Sequence, residues 1–318
     1  MITDPSSRIA LASLGWVDHG SIWRFDSVTG AIDDFLLSDA DYLGLHAGPN
    51  EHFAVQHNWG TRCFRISAHH YRRPSTPLAS IEVNGRTTRS SGDAAVWNEL
   101  PAAYVGCLDD DATGAAGYFA LMIADGVPTV HRLDWFDDSY DHGYQGVTSV
   151  VEASPGLLLY GVQRSSDLVV CEAASQRLVR RVHLAGRYGN PRPLLSRQTQ
   201  RLWVVDYDTI LRLDRRTLNV ERQARLQPAL DGAKMFVGDP WLSRDESFIV
   251  VPRPGSGDVV LLDAVSLSVI ETVAAGTEPL EAAVVGAQLV GRNWKTGEHF
   301  VAAVSATRGA RWRRWRGR

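Results

Sequence analysis

The chain of 318 residues lacks the features that mark several large classes of protein. It has only 3 cysteines, and none of its apolar runs approaches the roughly 18 residues of a membrane-spanning helix. Cys63, Cys107 and Cys171 each lie inside an apolar run, which predicts small buried side chains rather than disulfides or a zinc site. Asp4 and Pro5 stand where a secretion signal needs basic and then apolar residues. We therefore expect a cytoplasmic protein.

Common catalytic and nucleotide-binding motifs are also missing. The sequence has no Gly-x-Ser-x-Gly elbow, no phosphate-binding loop and no dinucleotide fingerprint after a strand. Few segments show a helical period over ten or more residues, and the composition, 44% hydrophobic and 22% charged, is that of a folded globular chain. The lack of helical periods leaves an all-β protein as the economical prediction.

A short apolar run that ends in an acidic or small polar residue recurs along the chain. The steps between the last residues of successive copies are 41, 55, 50, 42, 49 and 41. A period of about 46 residues is typical of propeller blades with four strands each. The clear copies are 22–26, 63–67, 168–172, 210–214 and 259–263, and the weaker ones are 118–122 and 300–304.

Four copies continue with the same pattern, in which a hydroxyl residue and then an aliphatic residue follow the acidic one at intervals of three. The four sets are Asp26-Thr29-Ile32, Glu172-Ser175-Leu178, Asp214-Thr217-Val220 and Asp263-Ser266-Val269. This pattern predicts a hairpin in which the carboxylate and hydroxyl bond to backbone N–H groups of the turn. The aliphatic residue is then expected to begin the next strand, facing the core. We assign these residues a structural role.

The repeats resemble the seven-bladed β-propellers of the YVTN and quinoprotein-like group, whose blades end a strand in Asp before a Thr-containing turn. The Trp-Asp and Gly-His signatures of WD40 blades and the paired glycine of kelch blades are absent. The resemblance covers nearly the whole chain and implies one domain, residues 1–318, folded as a seven-bladed propeller of four-stranded antiparallel blades. The repeat over residues 85–135 is the weakest.

The ring has an open question at its closure. The first blade shows only three strands in the sequence, and the last shows four, ending in residues 310–316. The innermost position of the first blade is therefore filled either by residues before Arg8 or by the C-terminal strand.

In such a ring, the links between blades and the loops between second and third strands lie on one face. Those loops carry aromatic and charged residues, a mixture typical of a binding surface. The loop residues to which we assign ligand binding are Trp16, His19, Trp59, Arg164, Asp206 and Trp294.

The links place a polar residue before each innermost strand, and we assign ligand binding to Asp93, Asn190, Asp239 and Glu278. If these side chains turn into the central channel, four carboxylates would favour a cation or a protonated amine there, those of Asp41, Asp93, Asp239 and Glu278. The alternative is that they initiate turns and cap backbone groups.

The link over residues 135–145 is long, aromatic and acidic. It is predicted either to fold over the channel as a lid or to pack on the rim of the ring. As a lid it would bring Tyr140, His142, Tyr144 and Gln145 to a ligand.

Two functions fit these residues. The first is a binding or interaction module that holds a small polar ligand or a partner protein at the channel. The alternative is a lyase or hydrolase, in which His57 or His142 is the general acid or base and Tyr207, Arg253 and Arg292 stabilise negative charge.

A divalent metal held by histidines of different blades is a further alternative, although the histidine spacing fits no standard short metal motif. The histidines that could share the channel are His19, His46, His57 and His142. The other interpretation is that they anchor loops, and no cofactor is identified from the sequence.

The end of the chain, 308–318, contains six arginines interleaved with two tryptophans, and without them the formal charge of −3 would be −9. Such alternation suits a nucleic acid or membrane surface, but also an edge strand whose charges prevent pairing with another chain. Because the rest of the chain is acidic and would repel a polyanion, we predict an edge strand and no binding to nucleic acid or membranes.

Overall fold

The computed structural model describes residues 1–13, 20–37, 40–47, 51–58, 63–84, 86–88, 93–97, 100–110, 116–124, 127–133, 135, 147–162, 165–184, 189–196, 201–226 and 238–305. Over these residues the chain forms 28 strands and no helix. Within each sheet, strands that follow one another in sequence pair antiparallel, except that the first strand of the third sheet pairs with the third strand of that sheet rather than with the second.

The strands of the first three sheets follow the chain. The first sheet contains β1 (Ile2–Thr3), β2 (Ile9–Ala12), β3 (Ser21–Asp26) and β4 (Ile32–Leu36). The second contains β5 (Tyr42–Ala47), β6 (His52–Asn58), β7 (Cys63–His70) and β8 (Arg73–Asn84). The third contains β9 (Arg86–Thr88), β10 (Asp93–Trp97), β11 (Leu100–Asp110), β12 (Ala116–Ala124) and β13 (Val127–Arg132), and both β9 and β10 pair with β11.

The remaining sheets continue in the same way. The fourth contains β14 (Val147–Ser154), β15 (Leu157–Val162), β16 (Asp167–Glu172) and β17 (Leu178–His183). The fifth contains β18 (Arg192–Leu195), β19 (Arg201–Asp206), β20 (Thr209–Asp214) and β21 (Val220–Arg225). The sixth contains β22 (Trp241–Leu242), β23 (Phe248–Arg253), β24 (Asp258–Asp263) and β25 (Val269–Ala274), and the last contains β26 (Pro279–Val285), β27 (Gln288–Asn293) and β28 (His299–Ala303).

These sheets are the blades of an all-β propeller, but the predicted count of seven four-stranded blades is wrong. Six sheets have the four or more strands of a complete blade, and the sheet β26–β28 has three within the described part of the chain, which ends at residue 305. The prediction took residues 310–316 as the fourth strand of that sheet, and this segment lies outside the described residues.

The ring closes through the first strand of the chain. β1 pairs with β2 as the innermost strand of the first blade, so residues before Arg8 fill this position. β1 and β2 both contact β26 of the last sheet. Trp23 and Phe25 pack with Val285 and Val290 across this junction. Of the two sequence-based alternatives for ring closure, the N-terminal segment is the one observed.

Core side chains lie between blades as well as within them. In β19, Leu202 and Val204 pack toward the fourth blade, whereas Trp203 and Val205 pack toward the sixth. A strand that is buried on both faces needs an unbroken apolar run, which explains the repeated runs of the sequence. The indole N–H of Trp203 also donates to the carbonyl of Ala264 in the next blade, at 2.8 Å.

The hairpin pattern is confirmed at Asp26, Asp214 and Asp263, whose carboxylates accept from backbone N–H groups of the turn, whereas the Glu172 carboxylate accepts from the Ser175 hydroxyl. Asp214 Oδ1 accepts hydrogen bonds from the N–H and the hydroxyl of Thr217, at 2.6 and 2.8 Å. Asp263 Oδ1 makes the same pair of bonds with Ser266, at 2.7 and 2.9 Å. Leu267, which follows, has a φ of 58° and is 2% exposed. Its buried side chain compensates for a backbone conformation that usually favours glycine.

The prediction that the aliphatic residue after each turn faces the core is wrong. Ile32, Leu178, Val220 and Val269 are 40–55% exposed. Each begins the outermost strand of its blade, or lies next to its beginning, and no further strand covers the outer edge among the described residues. The periodic pattern therefore predicts the turn correctly but not the side of the strand that is buried.

Cys171 is a free, fully buried thiol, as predicted, and burial raises its pKa to about 12. Side chains of the other two cysteines lie outside the described set. Within the described ranges, no helix is long and apolar enough to cross a membrane.

Candidate functional site

The candidate site lies at the end of the ring where the links between blades meet the hairpins between second and third strands. Asp206, the last residue of β19, accepts a hydrogen bond from the backbone N–H of Asn190 in the link before β18, at 2.8 Å. It also accepts a bond from the hydroxyl of Ser166, in the corresponding hairpin of the fourth blade, at 3.1 Å. We call this end of the ring the channel mouth.

Four polar residues, Asn190, Arg192, Asp239 and Glu281, lie at or just before innermost strands of the last three sheets, and we call them the mouth arc. Arg192 Nη1 donates to the backbone carbonyl of Thr148 in β14, at 3.1 Å, and to the carboxylate of Asp239. The N–H of Asp239 in turn donates to the backbone of β26, at 2.7 Å, beside Glu281. The arc therefore joins four successive sheets.

Three buried polar atoms of the mouth arc have no hydrogen-bond partner among the described residues. They are Asn190 Oδ1, Arg192 Nε and Glu281 Oε2. Most buried polar atoms in native proteins are hydrogen-bonded, and these three belong to residues of one arc. One is a donor and two are acceptors, which leaves the arc able to bond a group of either kind.

Glu281 is the most deeply buried acid of the arc, at 7% exposure. Its Oε1 lies 3.2 Å from the amine of Met1. Burial raises the pKa of Glu281 to about 6; the Met1 amine and Arg292 oppose this rise, whereas the charge of Asp239 adds to it. A raised carboxyl pKa is a property that many acid and base catalysts share.

Asp206 supports the arc rather than belonging to it. It is 3% exposed, and its hydrogen bond to the Asn190 N–H fixes the link that leads into Arg192. Burial raises the pKa of Asp206, although its bonds to Asn190 and Ser166 oppose the increase. These bonds fix the Asp206 carboxylate at the mouth, and its role in ligand binding stays a prediction.

The three predicted charge-stabilising residues that the structure describes are anchored in their own hairpins. Arg253 forms a two-pronged ion pair with Asp258 across the β23–β24 turn, with an Nε–Oδ1 distance of 2.6 Å. Arg292 Nη2 donates to the carbonyl of Gly297 at 2.9 Å. Tyr207 has a φ of 55° in the β19–β20 turn and packs on the core between the fifth and sixth blades. These contacts hold the three side chains in place, and their role in stabilising negative charge stays a prediction.

The predicted convergence of carboxylates at the mouth is only partly observed. Asp239 is paired with Arg192, and Glu278 Oε1 lies 3.0 Å from Lys295 Nζ. Trp294 is held close to Glu278, since the backbone N–H of Trp294 donates to the backbone carbonyl of Glu278 at 2.9 Å. Because each carboxylate already has a cation, a site for a bare cation is not supported at these two positions.

Several predicted residues cannot be assigned a place. Only the strand is described for His57 in β6 and for Asp93 in β10. Outside the described residues lie Trp16, His19, Trp59, Tyr140, His142, Tyr144, Gln145 and Arg164, and with them most of the predicted lid.

Sequence reasoning missed Arg192 and Glu281. Glu281 is the only charged residue of the apolar strand β26, and Arg192 lies between two prolines at the start of β18. A charge inside an otherwise buried strand is a signal that could have identified Glu281, because such a charge is rarely retained without a role.

No group of three or more His, Cys, Asp and Glu side chains in the described ranges is arranged to hold a metal ion. His52 and His69 do stack, with ring centroids 5.3 Å apart, but both lie away from the mouth, at the opposite ends of β6 and β7. Of the histidines predicted to share a metal ion, His19 and His142 lie outside the described residues and only the strand is described for His57, so that alternative stays a prediction.

No known protein-family profile matches the chain, and no curated protein matches it. Solved structures do. The β-propeller domain of Cps50 (Swd1) from Myceliophteria thermophila has a TM-score of 0.69 at 13% identity, covering 96% of each chain. A periplasmic gluconolactonase from Pseudomonas aeruginosa has a TM-score of 0.67 at 18% identity, covering 93% of this chain and 96% of that one.

A third similar structure is a putative 6-phosphogluconolactonase from Bacteroides fragilis, with a TM-score of 0.62 at 13% identity, covering 90% of this chain and 87% of that one. At these identities the likeness establishes the propeller fold alone. Propellers with this arrangement serve unrelated functions, so the function must be argued from the mouth itself.

Proposed function

We propose that the propeller binds a small polar ligand on the mouth arc. The observation that carries this proposal is the set of three open polar atoms, Asn190 Oδ1, Arg192 Nε and Glu281 Oε2. Leaving a buried polar atom without a partner costs about 1–3 kcal/mol. Three such atoms in one arc are best explained by an occupant that completes their hydrogen bonds.

The partly exposed members of the arc support this proposal. The side chain of Arg192 is 24% exposed and that of Asp239 is 39% exposed, although the two form an ion pair. Both side chains are therefore accessible to a ligand. The residues come from different blades, which hold them on a rigid scaffold.

A thermal-shift screen of sugars, amino acids and nucleotides at millimolar concentration tests the proposal. A ligand present at about one hundred times its Kd stabilises the folded state by about 2.7 kcal/mol, which raises Tm measurably. We expect Arg192→Ala and Asp239→Ala to abolish the shift of any ligand that binds wild-type protein. Arg24→Ala, which breaks a similar ion pair with Asp33 on the outer rim, is the matched control and should keep it.

If the control lost the shift as well, the loss would reflect general destabilisation. If ligands shifted the two arc variants as strongly as wild-type protein, the mouth arc would not be the binding site.

Catalysis is the second candidate function, and Glu281 favours it. A carboxyl group with a pKa of about 6 is suited to general acid or base chemistry near neutral pH. Because two structurally similar propellers are a gluconolactonase and a putative 6-phosphogluconolactonase, lactone hydrolysis is the first reaction to assay. Here Glu281 would activate water in place of the predicted histidines.

Hydrolysis of glucono-δ-lactone above the buffer rate, at least about 100-fold slower in Glu281→Gln, is the expected result for an enzyme. Equal rates for wild-type protein and buffer would leave the binding function as the proposal.

We also propose that the protein is cytoplasmic and binds neither nucleic acid nor membranes, and that a partner protein would contact the same loop-rich face. Cell fractionation tests the location. A gel-shift assay at low ionic strength tests nucleic-acid binding, and a shift that weakens with salt would contradict the proposal.

A further inference from the structure

The charges of the mouth arc are balanced by one another and by the neighbouring Met1 amine. Arg192 is paired with Asp239, so the exposed part of the arc carries no surplus charge. Glu281 lies beside the Met1 amine, and the positive charge of Arg292 also acts on its carboxylate. A charged ligand would add a surplus charge to groups that are already balanced in a poorly hydrated place, which is costly.

The open atoms of the arc include one hydrogen-bond donor and two acceptors. Arg192 Nε is a donor and needs an acceptor, whereas Asn190 Oδ1 and Glu281 Oε2 are acceptors and need donors. A hydroxyl group donates one hydrogen bond and accepts up to two, so several hydroxyl groups on one molecule can satisfy all three atoms. A carboxylate or phosphate only accepts, and an ammonium group only donates.

We infer that the ligand of the mouth arc is a neutral molecule rich in hydroxyl groups, such as a sugar or another polyol. This inference rests on the proposed function, since it names the class of ligand bound at the same site. Hydroxyl groups cost far less to remove from water than a charged group does. They also leave the Arg192–Asp239 ion pair intact.

Six-carbon molecules of different charge separate charge from shape when compared in matched pairs, cyclic glucose with cyclic glucosamine and acyclic sorbitol with acyclic gluconate. Glucose is neutral, glucosamine is cationic and gluconate is anionic at neutral pH. Titration calorimetry with these three, and with sorbitol and inositol as further neutral polyols, measures the preference directly. We expect at least one neutral polyol to bind wild-type protein about tenfold or more tightly than either charged molecule.

Two variants test the charge balance. Asp239→Asn leaves Arg192 without its counter-charge, and the preference should move toward gluconate by about tenfold. Arg192→Gln leaves Asp239 unbalanced, and the preference should move toward glucosamine. Asp33→Asn is the matched control, because Asp33 forms the similar pair with Arg24 on the outermost strand of the first blade. This control should keep the wild-type order of affinities.

The outcomes separate this inference from the proposed function. Tighter binding of gluconate or glucosamine than of every neutral polyol would overturn the inference while the mouth remained a ligand site. Binding of amino acids or nucleotides, but of no polyol, in an arc-dependent way would do the same. If no compound of the wider screen bound through Arg192 and Asp239, both the inference and the proposed function would fall.

Discussion

His52 is a fully buried imidazole in the second blade, and its burial makes the stability of the propeller depend on pH. It is 0% exposed and stacks on His69, with ring centroids 5.3 Å apart. The centroid of the Tyr71 ring lies 5.4 Å from that of His52. Within the described part of the chain, neither ring nitrogen of His52 has a hydrogen-bond partner. In the described residues, therefore, no hydrogen-bond acceptor stabilises the protonated imidazole of His52.

Burial, together with the charge of His69, lowers the pKa of His52 from 6.5 to about 3. The unfolded chain therefore takes up a proton before the folded chain does. The stability that depends on neutral His52 is complete above pH 6.5 and is lost progressively as the pH falls toward 3. At 1.36 kcal/mol for each pKa unit, His52 lowers the free energy of unfolding by about 2 kcal/mol at pH 5.

The perturbation that tests this is His52→Leu, which replaces the imidazole by an apolar side chain of similar size. Urea unfolding of wild-type and variant proteins at pH 7.5 and pH 5 gives the free energy of unfolding for each. We expect wild-type protein to lose about 2 kcal/mol more than the variant between these pH values. Burial also lowers the pKa of His69, so the variant should retain part of the dependence.

His70→Gln is the control, because His70 is an exposed histidine in the same strand as His69. It should show the same pH dependence as wild-type protein. If His52→Leu and wild-type protein lost equal stability between pH 7.5 and 5, His52 would not be the buried neutral group described here.

Three further predictions concern packing. Leu267→Ala should lower the free energy of unfolding by about 2–4 kcal/mol, whereas Val265→Ala, at a side chain that is 47% exposed, should change it by about 0.5 kcal/mol or less. Gly291→Ala should destabilise the ring by about 1–3 kcal/mol, because the added Cβ would lie 2.5 Å from the Glu281 carbonyl. The same variant should weaken any ligand that depends on Glu281. Trp203→Phe should cost about 1–3 kcal/mol, since it leaves a carbonyl of the next blade without its donor. Chemical denaturation measures all three, and unchanged midpoints would contradict the packing described.

The repeat is what made the fold predictable. The side chains of Asp214 and Asp263 bond within their own turns, to residues three positions along. Such local contacts follow from a few neighbouring residues, so a sequence pattern is sufficient to predict them. The same local pattern contained no information on whether Val220 or Val269 would be covered, because cover depends on the existence of a further strand.

The mouth arc was less predictable because its contacts join different blades. Arg192 and Asp239 are 47 positions apart, close to one period of the repeat. Which residues meet across two blades depends on the exact register of each repeat, and the repeats differ in length. Asp239 could be identified as a polar residue at the mouth, but its partner Arg192 could not.

The junction between the first and last sheets differs from every other junction in the length of chain that it closes. Contacts between most neighbouring blades join residues roughly one repeat apart, as Arg192 and Asp239 do. Trp23 and Val285, in contrast, lie near opposite ends of the chain. The entropy lost on closing a loop grows with the logarithm of its length, so this junction costs about 1.5 kcal/mol more to form than the others. We therefore expect the blades to assemble in a row and the ring to close last, which makes this junction the first place at which the circle opens.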